Sequence, residues 1–314
     1  MQNCFLIPVK PSFPDCLDLQ THKRAARLCN MINKIETDYG AIDLLVLQEV
    51  WSEKASLSMR FVNRLLCRSA FARHIVEHYI RDSFRYSTDM RGKPSITSKR
   101  LLDSGLIIAS RHPIVDQDFF AFGGGSDAVE QLANKGALIT AIRLPSDKLV
   151  IVCNTHLDAG ESSNARFDQL TKIMPFIQSF RENVTLKTGR RIAMTLLCGD
   201  FNINGLSPHV YSQLCDSVAL AGLKDTWLGS DACITNDGPG DATQRLDYIF
   251  SDRPASTTAV TPTSAWRVDS ALLDKLSEAR SKGKDVGHIE KEIDDRRRRD
   301  LTTDHAGLIA TFSI

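Results

Sequence analysis

The sequence predicts a mixed α/β fold, and three observations carry that reading. Apolar runs of strand length recur along the chain and end abruptly in polar residues. Between them lie segments with apolar residues at three- and four-residue spacing, the pattern of amphipathic helices. No internal repeat at solenoid periods interrupts this alternation. The 314 residues, 42% hydrophobic and 25% charged, are enough for a large core in a single domain.

The first run, Asn3-Cys4-Phe5-Leu6-Ile7-Pro8-Val9, reads as a strand with Asn3 near its start. From Thr21 to Tyr39, Ala25, Leu28, Ile32 and Ile35 recur at helical spacing until Gly40 stops the helix. Ala41 to Leu47 is a buried strand ending in Gln48-Glu49-Val50-Trp51. A glutamate directly after an apolar run needs a partner, a metal or a lysine. Leu57 to Ala72 reads as a helix with Phe61 and Leu65 inward, and residues 81–103 as an exposed basic loop or hairpin. Ser104 to Ser110 is a strand that Arg111-His112-Pro113 breaks. Phe119, Phe120 and Phe122, before Gly123-Gly124-Gly125, read as inward-packed strand residues rather than a membrane-dipping tip.

Ala137 to Leu144 and Lys148 to Cys153 form a hairpin, followed by Asn154-Thr155-His156. Arg166, Asp168 and Gln169 lie on the next helix, with Leu170, Ile173 and Ile177 inward. The run Ile192 to Leu197 stops near Gly199 and presents Asp200 and Asn202. Residues i and i+2 of an extended segment share a face, so both are expected in one pocket. A helix from Ser207 to Leu220, a glycine-rich loop from Ser230 to Ala242 and a strand from Gln244 to Phe250 follow, and Asp247 lies within that strand. Asp304-His305 introduces the last strand, Gly307 to Ile314. Residues 265–302, with Leu272, Leu273, Leu276 and the block Arg296 to Arg299, read as a solvated, charged helical insertion.

The net charge of +1 gives no global field toward nucleic acid or an anionic membrane, which disfavours a nuclease. The eight cysteines follow no metal-ligand spacing, and Cys153 and Cys198 fall inside strands as small hydrophobes, so a reducing compartment is expected. No signal peptide pattern opens the chain and no run is long enough to span a bilayer. The expected location is the cytoplasm or a membrane periphery, with secretion left open for a chain whose leader has been trimmed.

Strand ends bearing Asn, Glu, His, Asp-x-Asn and Asp-His are what metal-assisted phosphodiester hydrolysis needs. Glu49 would hold Mg²⁺, a hard ion that prefers oxygen ligands. His305 would take a proton from water, and Asp304 could fix its tautomer only in a loop, because strand neighbours face opposite ways. His156 would stabilise charge on the phosphorane.

These residues also carry a resemblance. Gln48-Glu49-Val50-Trp51, Ser104-Gly105-Leu106-Ile107-Ile108, Asn154-Thr155-His156-Leu157, Gly199-Asp200-Phe201-Asn202, Arg245-Leu246-Asp247-Tyr248 and Thr303-Asp304-His305 occur in the order seen in the endonuclease/exonuclease/phosphatase superfamily. The resemblance implies a DNase I-like four-layered sandwich, two packed mixed sheets flanked by helices, and cleavage of phosphate esters with Mg²⁺, or Mn²⁺ as a substitute. Ser110-Arg111-His112-Pro113-Ile114 and Ala133-Asn134-Lys135-Gly136-Ala137 are similar to motifs of its neutral sphingomyelinase branch. Carried over, Asn3 and Glu49 would lie near the metal. His156, Asp200 and Asn202 would surround the phosphate, His305 would be the base, and Asp247 would orient the site. Lys135 would approach the headgroup or govern a loop switch, and Arg166 would lie in the substrate site.

The sequence departs from that branch in the loop before Lys135 and in the segment before Asp304. An Asp five residues before the loop lysine becomes Glu130, with Asp127 three residues earlier, and Trp266 is the aromatic near the segment where secreted relatives carry an aromatic hairpin. The expected reaction is phospholipase C-type hydrolysis of sphingomyelin, or a related phosphosphingolipid, to ceramide and phosphocholine. Inositol phospholipids, inositol phosphosphingolipids and nucleic acid are the alternative substrates within the superfamily, and a silent scaffold is the alternative without catalysis.

Overall fold

A computed structural model describes residues 2–8, 21–50, 75–89, 92, 103–123, 133–160, 163–227, 233–237, 243–255, 278–282, 286–287, 289, 305 and 307–314. Two sheets form its centre. The first has the order β13-β1-β2-β4-β3: Leu308–Phe312, Gln2–Pro8, Leu44–Gln48, Ile107–Ser110 and Tyr86–Ser87. The second has the order β5-β6-β7-β8-β12-β9: Ile114–Ala121, Gly136–Arg143, Leu149–His156, Ile192–Asp200, Asp247–Ser251 and Lys224–Asp225. A two-stranded ribbon, β10 (Asn236–Asp237) and β11 (Thr243–Gln244), stands apart. Most pairs are antiparallel, but β1 runs parallel to β2 and β7 parallel to β8.

Strand alternation sorts the apolar residues into layers. In β2, Leu44 and Val46 face the other sheet, while Leu45 and Leu47 pack under α1 (Thr21–Tyr39) and α2 (75–83). In β7, Val150 and Val152 fill the space between the sheets. Leu149, Ile151 and Cys153 pack beneath α3 (Ser163–Thr188) and α4 (Pro208–Ala219). The result is helix, sheet, sheet, helix, the four layers expected. Because both faces of the central strands are covered, these strands read as continuous apolar runs. On α3, Leu170, Ile173 and Ile177 are fully buried, at the spacing that predicted them.

Several local expectations change. Residues 81–83 complete α2, and Phe84 is buried beneath it, so the basic stretch starts later than its charges suggest. The strand expected from Gln244 divides, because the amides of Leu246 and Asp247 turn to the Thr235 hydroxyl and the Arg245 carbonyl accepts from Gly205. Phe119 joins the inter-sheet core, and Phe120 packs 5.6 Å from Phe176 of α3, so these rings are held within the sandwich. The expected helix at 57–72, Trp51, Glu130, Trp266, Asp304 and the Arg296 to Arg299 block lie outside the described residues, as do the side chains of β1, Asn3 included.

Candidate active site

The alternation that builds the inter-sheet core also builds the site. Along β7, Val150, Val152, Asn154 and His156 share one face, and along β8, Met194, Leu196, Cys198 and Asp200 continue that same face of the sheet. The apolar members fill the core, and the last residue of each row is polar. Register then aligns the two strand ends and the start of β12: His156 pairs with Asp200, and Asp200 with Asp247. Three chemically active side chains therefore stand in one row across three adjacent strands. Glu49, after β2, and His305, before β13, approach from the opposite sheet.

A polar bolt joins the sheets below this row. Asn154 is fully buried, accepts from Gln48 Nε2 at 2.6 Å, and donates to the Leu47 and Ile107 carbonyls at 2.8 and 3.2 Å. With these bonds made, the amide costs little to bury and fixes the end of β2 against β7. Glu49 then adopts a left-handed backbone (φ 59°), uncommon for a residue with a side chain and a local strain held by its surroundings.

His156 lies between two carboxylates, Nδ1 3.6 Å from Glu49 Oε1 and Nε2 3.7 Å from Asp200 Oδ2. Lys135 Nζ is 3.3 Å from the same Nε2 and donates to the Leu157 carbonyl at 2.9 Å. Asn202 Nδ2 donates to that carbonyl as well, at 3.1 Å. His305 Nδ1 is 2.8 Å from Asp247 Oδ2, and Nε2 is 3.9 Å from Asp200 Oδ2. Burial pushes the Asp247 carboxyl up to about 6, with His305 lowering it and Asp200 raising it further. A like charge on a neighbouring strand and the loss of solvent both disfavour the second carboxylate.

One expectation needs correction in geometry. The chain turns after Asp200, so Asn202 is not the next strand residue on that face. Its backbone is left-handed (φ 50°), its amide donates to Asp200 Oδ1 at 2.8 Å, and this Asx turn returns its side chain to the site. The residue at His305 Nδ1 is Asp247, the residue expected to orient the site, and Asp304 lies outside the described residues. Arg166 directs its guanidinium to the carbonyls of Asp158 (2.8 Å) and Gly160, which fastens the loop after β7. Sequence reasoning missed Thr235 and Asn236, which meet Asp247 and His305. They lie in a glycine-rich loop without periodicity, and their one local signal is a Thr-Asn-Asp cluster.

Among the described residues, Asp200, Asp247 and His305 bring one donor atom each within 4.8 Å of one another. Both nitrogens of His305 already meet polar groups, Nδ1 at Asp247 and Nε2 at Asn236. The carboxylates of Asp200 and Glu49 are hard oxygen donors in the same pocket. This donor set fits Mg²⁺ better than a softer metal.

The chain resembles proteins of known type in sequence and in fold. It is 26% identical over 188 residues to a sphingomyelinase of Dictyostelium discoideum, covering 52% of this chain and 37% of that protein. It is 28% identical over 176 residues to human sphingomyelin phosphodiesterase 3, covering 53% and 25%. The matched part therefore spans well under half the length of these relatives. Sphingomyelinase C from Streptomyces griseocarneus shares its fold over 98% of both chains, with a TM-score of 0.63 and 19% identity. A Staphylococcus aureus beta toxin mutant with bound magnesium ions does so over 99% of both, with a TM-score of 0.62 and 16% identity. No helix among the described residues is long and apolar enough to cross a membrane. The family model described as Endonuclease/Exonuclease/phosphatase matches residues 16–305, nearly the whole chain, and the chain belongs to that family.

Proposed function

We propose that this protein is an Mg²⁺-dependent phosphodiesterase of phospholipase C type, and that it hydrolyses sphingomyelin or a closely related phosphosphingolipid at a membrane surface. The observation that carries the reading is the buried row His156, Asp200 and Asp247, with His305 bonded to Asp247 at 2.8 Å. Two imidazoles among buried carboxylates suit proton transfer at a phosphate ester. The sphingomyelin-cleaving names of the relatives support the choice of substrate.

In this reading Asp247 accepts from Nδ1–H of His305 and leaves Nε2 to take a proton from the attacking water. Lys135 and His156, 3.3 Å apart, face the charge that develops on the phosphoryl oxygens. Asn202 orients the phosphate from its turn, and Arg166 holds the 158–160 loop in place. Glu49, with Asn3 on the neighbouring strand, would hold Mg²⁺. The bound ion would polarise a phosphoryl oxygen and stabilise the leaving alkoxide. The protein would act from the cytoplasm or the membrane periphery.

The test is headgroup preference. Liposomes of sphingomyelin, phosphatidylinositol or a phosphorylated inositide, and single-stranded DNA, are offered in parallel with Mg²⁺. Release of phosphocholine from sphingomyelin is the expected result. Cleavage of an inositide or DNA alone would overturn the substrate assignment and leave the family chemistry.

A further inference from the structure

Two consecutive residues outside the strand-end motifs hold the two halves of the acid–imidazole pair. Thr235 Oγ1 accepts from the amide of Asp247 at 3.1 Å and from that of Leu246 at 2.9 Å. Asn236 Nδ2 lies 3.0 Å from His305 Nε2, and the backbones of Asn236 and His305 form an antiparallel bridge. The Thr235 amide is itself tied to the Gln244 carbonyl at 2.9 Å, which anchors the segment to the strand leading to Asp247. Thr235, Asn236, Asp247 and His305 are all buried, so these contacts are made away from solvent.

The chemistry of the contact fixes a tautomer. A carboxamide nitrogen can only donate, so His305 Nε2 must accept and carry no proton. Nδ1 then carries the ring proton and donates it to Asp247 Oδ2 at 2.8 Å. This is the tautomer a general base requires, with the lone pair on the nitrogen away from the orienting carboxylate. An amino group at Nε2 also occupies the position a water must take before its proton can be removed. We propose that Thr235 and Asn236 are positioning residues: Thr235 sets the backbone of Asp247, and Asn236 keeps His305 in the Nδ1–H form until the attacking water replaces the amide at Nε2. The catalytic part of this inference rests on the function proposed above.

The experiment reads the tautomer directly and does not depend on activity. The full chain is labelled with ¹⁵N-histidine, and long-range ¹H–¹⁵N correlations in mildly alkaline buffer separate protonated from unprotonated ring nitrogens. The His305 signals are identified by their loss in His305→Ala. The expected result is a protonated Nδ1 and an unprotonated Nε2 in the wild type. Asn236→Asp has the same shape but presents only acceptors, so, with Asp247 still accepting at Nδ1, it should place a proton on Nε2 as well. With sphingomyelin liposomes, Asn236→Asp and Asn236→Leu should each lower kcat by roughly tenfold or more, the worth of one buried hydrogen bond, and leave KM within about twofold. A role in packing alone would leave the nitrogen signals of Asn236→Asp unchanged. That outcome, or a wild-type His305 protonated at Nε2, overturns the inference. If the wild type cleaves no phosphodiester, the proposed function fails and the nitrogen signals alone decide the tautomer. If Asn236→Asp does not fold, Asn236→Leu decides the role of Asn236, and an unchanged kcat in that variant overturns it.

Discussion

His305 Nδ1 and Asp247 Oδ2 are 2.8 Å apart, and neither side chain has any exposure to solvent. The two residues are brought together from different sheets, Asp247 at the start of β12 and His305 just before β13. The pair closes the end of the inter-sheet core where the apolar rows give way to polar residues. A buried carboxylate against an imidazole holds that ring in one orientation, which is what a base needs.

Removing the carboxylate should therefore cost rate and leave substrate binding. Asp247→Asn is expected to lower kcat by about two to four orders of magnitude with KM little changed, because a carboxamide carries no charge and can also donate, so it no longer fixes the Nδ1–H tautomer. Phosphocholine release over a range of lipid concentrations measures both constants. A variant with wild-type kcat would remove His305 from the role of base.

The same carboxyl predicts a pH effect on stability. Burial raises its pKa from 3.8 to about 6, so the folded chain binds this proton more tightly than the unfolded chain. The contribution is fully present below the unfolded value and is lost as pH rises through the folded one. Asp247→Asn cannot titrate there, so its stability relative to the wild type should improve as pH rises from about 4 to about 7.5. Urea midpoints measured in chelator supply the comparison, and a difference that does not vary with pH would contradict the raised value.

Glu49 is expected to govern metal binding. Its left-handed backbone turns the carboxylate from the end of β2 toward His156. Glu49→Gln should raise the Mg²⁺ concentration for half-maximal activity roughly tenfold or more, as removal of groups that support a metal site commonly does. Without substrate, Mg²⁺ should raise the melting temperature of the wild type more than that of the variant.

Gly199 is a position where a methyl group has no room. It pairs with Thr155 across β7 and β8, with φ at 155°, and a Cβ there would lie 2.0 Å from the Thr155 carbonyl oxygen. Gly199→Ala should destabilise the fold by about 2–3 kcal/mol, since a backbone atom must move to admit it. Because Asp200 is the next residue, activity should fall in the part of the variant that remains folded. Urea unfolding and the rate per folded molecule separate the two effects.

Arg245 and Asp225 form a buried ion pair at 2.6 Å, with the guanidinium 4.4 Å from the Tyr248 ring centroid. Arg245→Met leaves Asp225 without its charge partner in the interior and should cost about 3–5 kcal/mol. The double variant with Asp225→Leu should recover much of that loss, which a double-mutant cycle in urea would measure.

The layers and most strand-end residues were legible because they share one cause. A strand covered on both faces must be apolar throughout, so an abrupt polar residue marks where it leaves the core. Glu49, His156 and Asp200 carry that signal. Contacts between residues distant in sequence were less legible. Asp247 was expected to orient the site, but no local pattern shows that it bonds to Nδ1 of His305, 58 residues away. The turn that brings Asn202 back depends on a left-handed residue at a position without glycine, which alternation does not reveal. Thr235 and Asn236 had no periodic context, because their place is set by side-chain bonds to the Asp247 backbone and the His305 ring.

The most direct test of the central claim is phosphocholine release from sphingomyelin liposomes by the wild type and by His305→Ala, with Mg²⁺ and with chelator. Release by the wild type in Mg²⁺, none above background in chelator, and a loss of at least about a thousandfold in the variant are expected. Undiminished release by His305→Ala, or equal release in chelator, would contradict the claim.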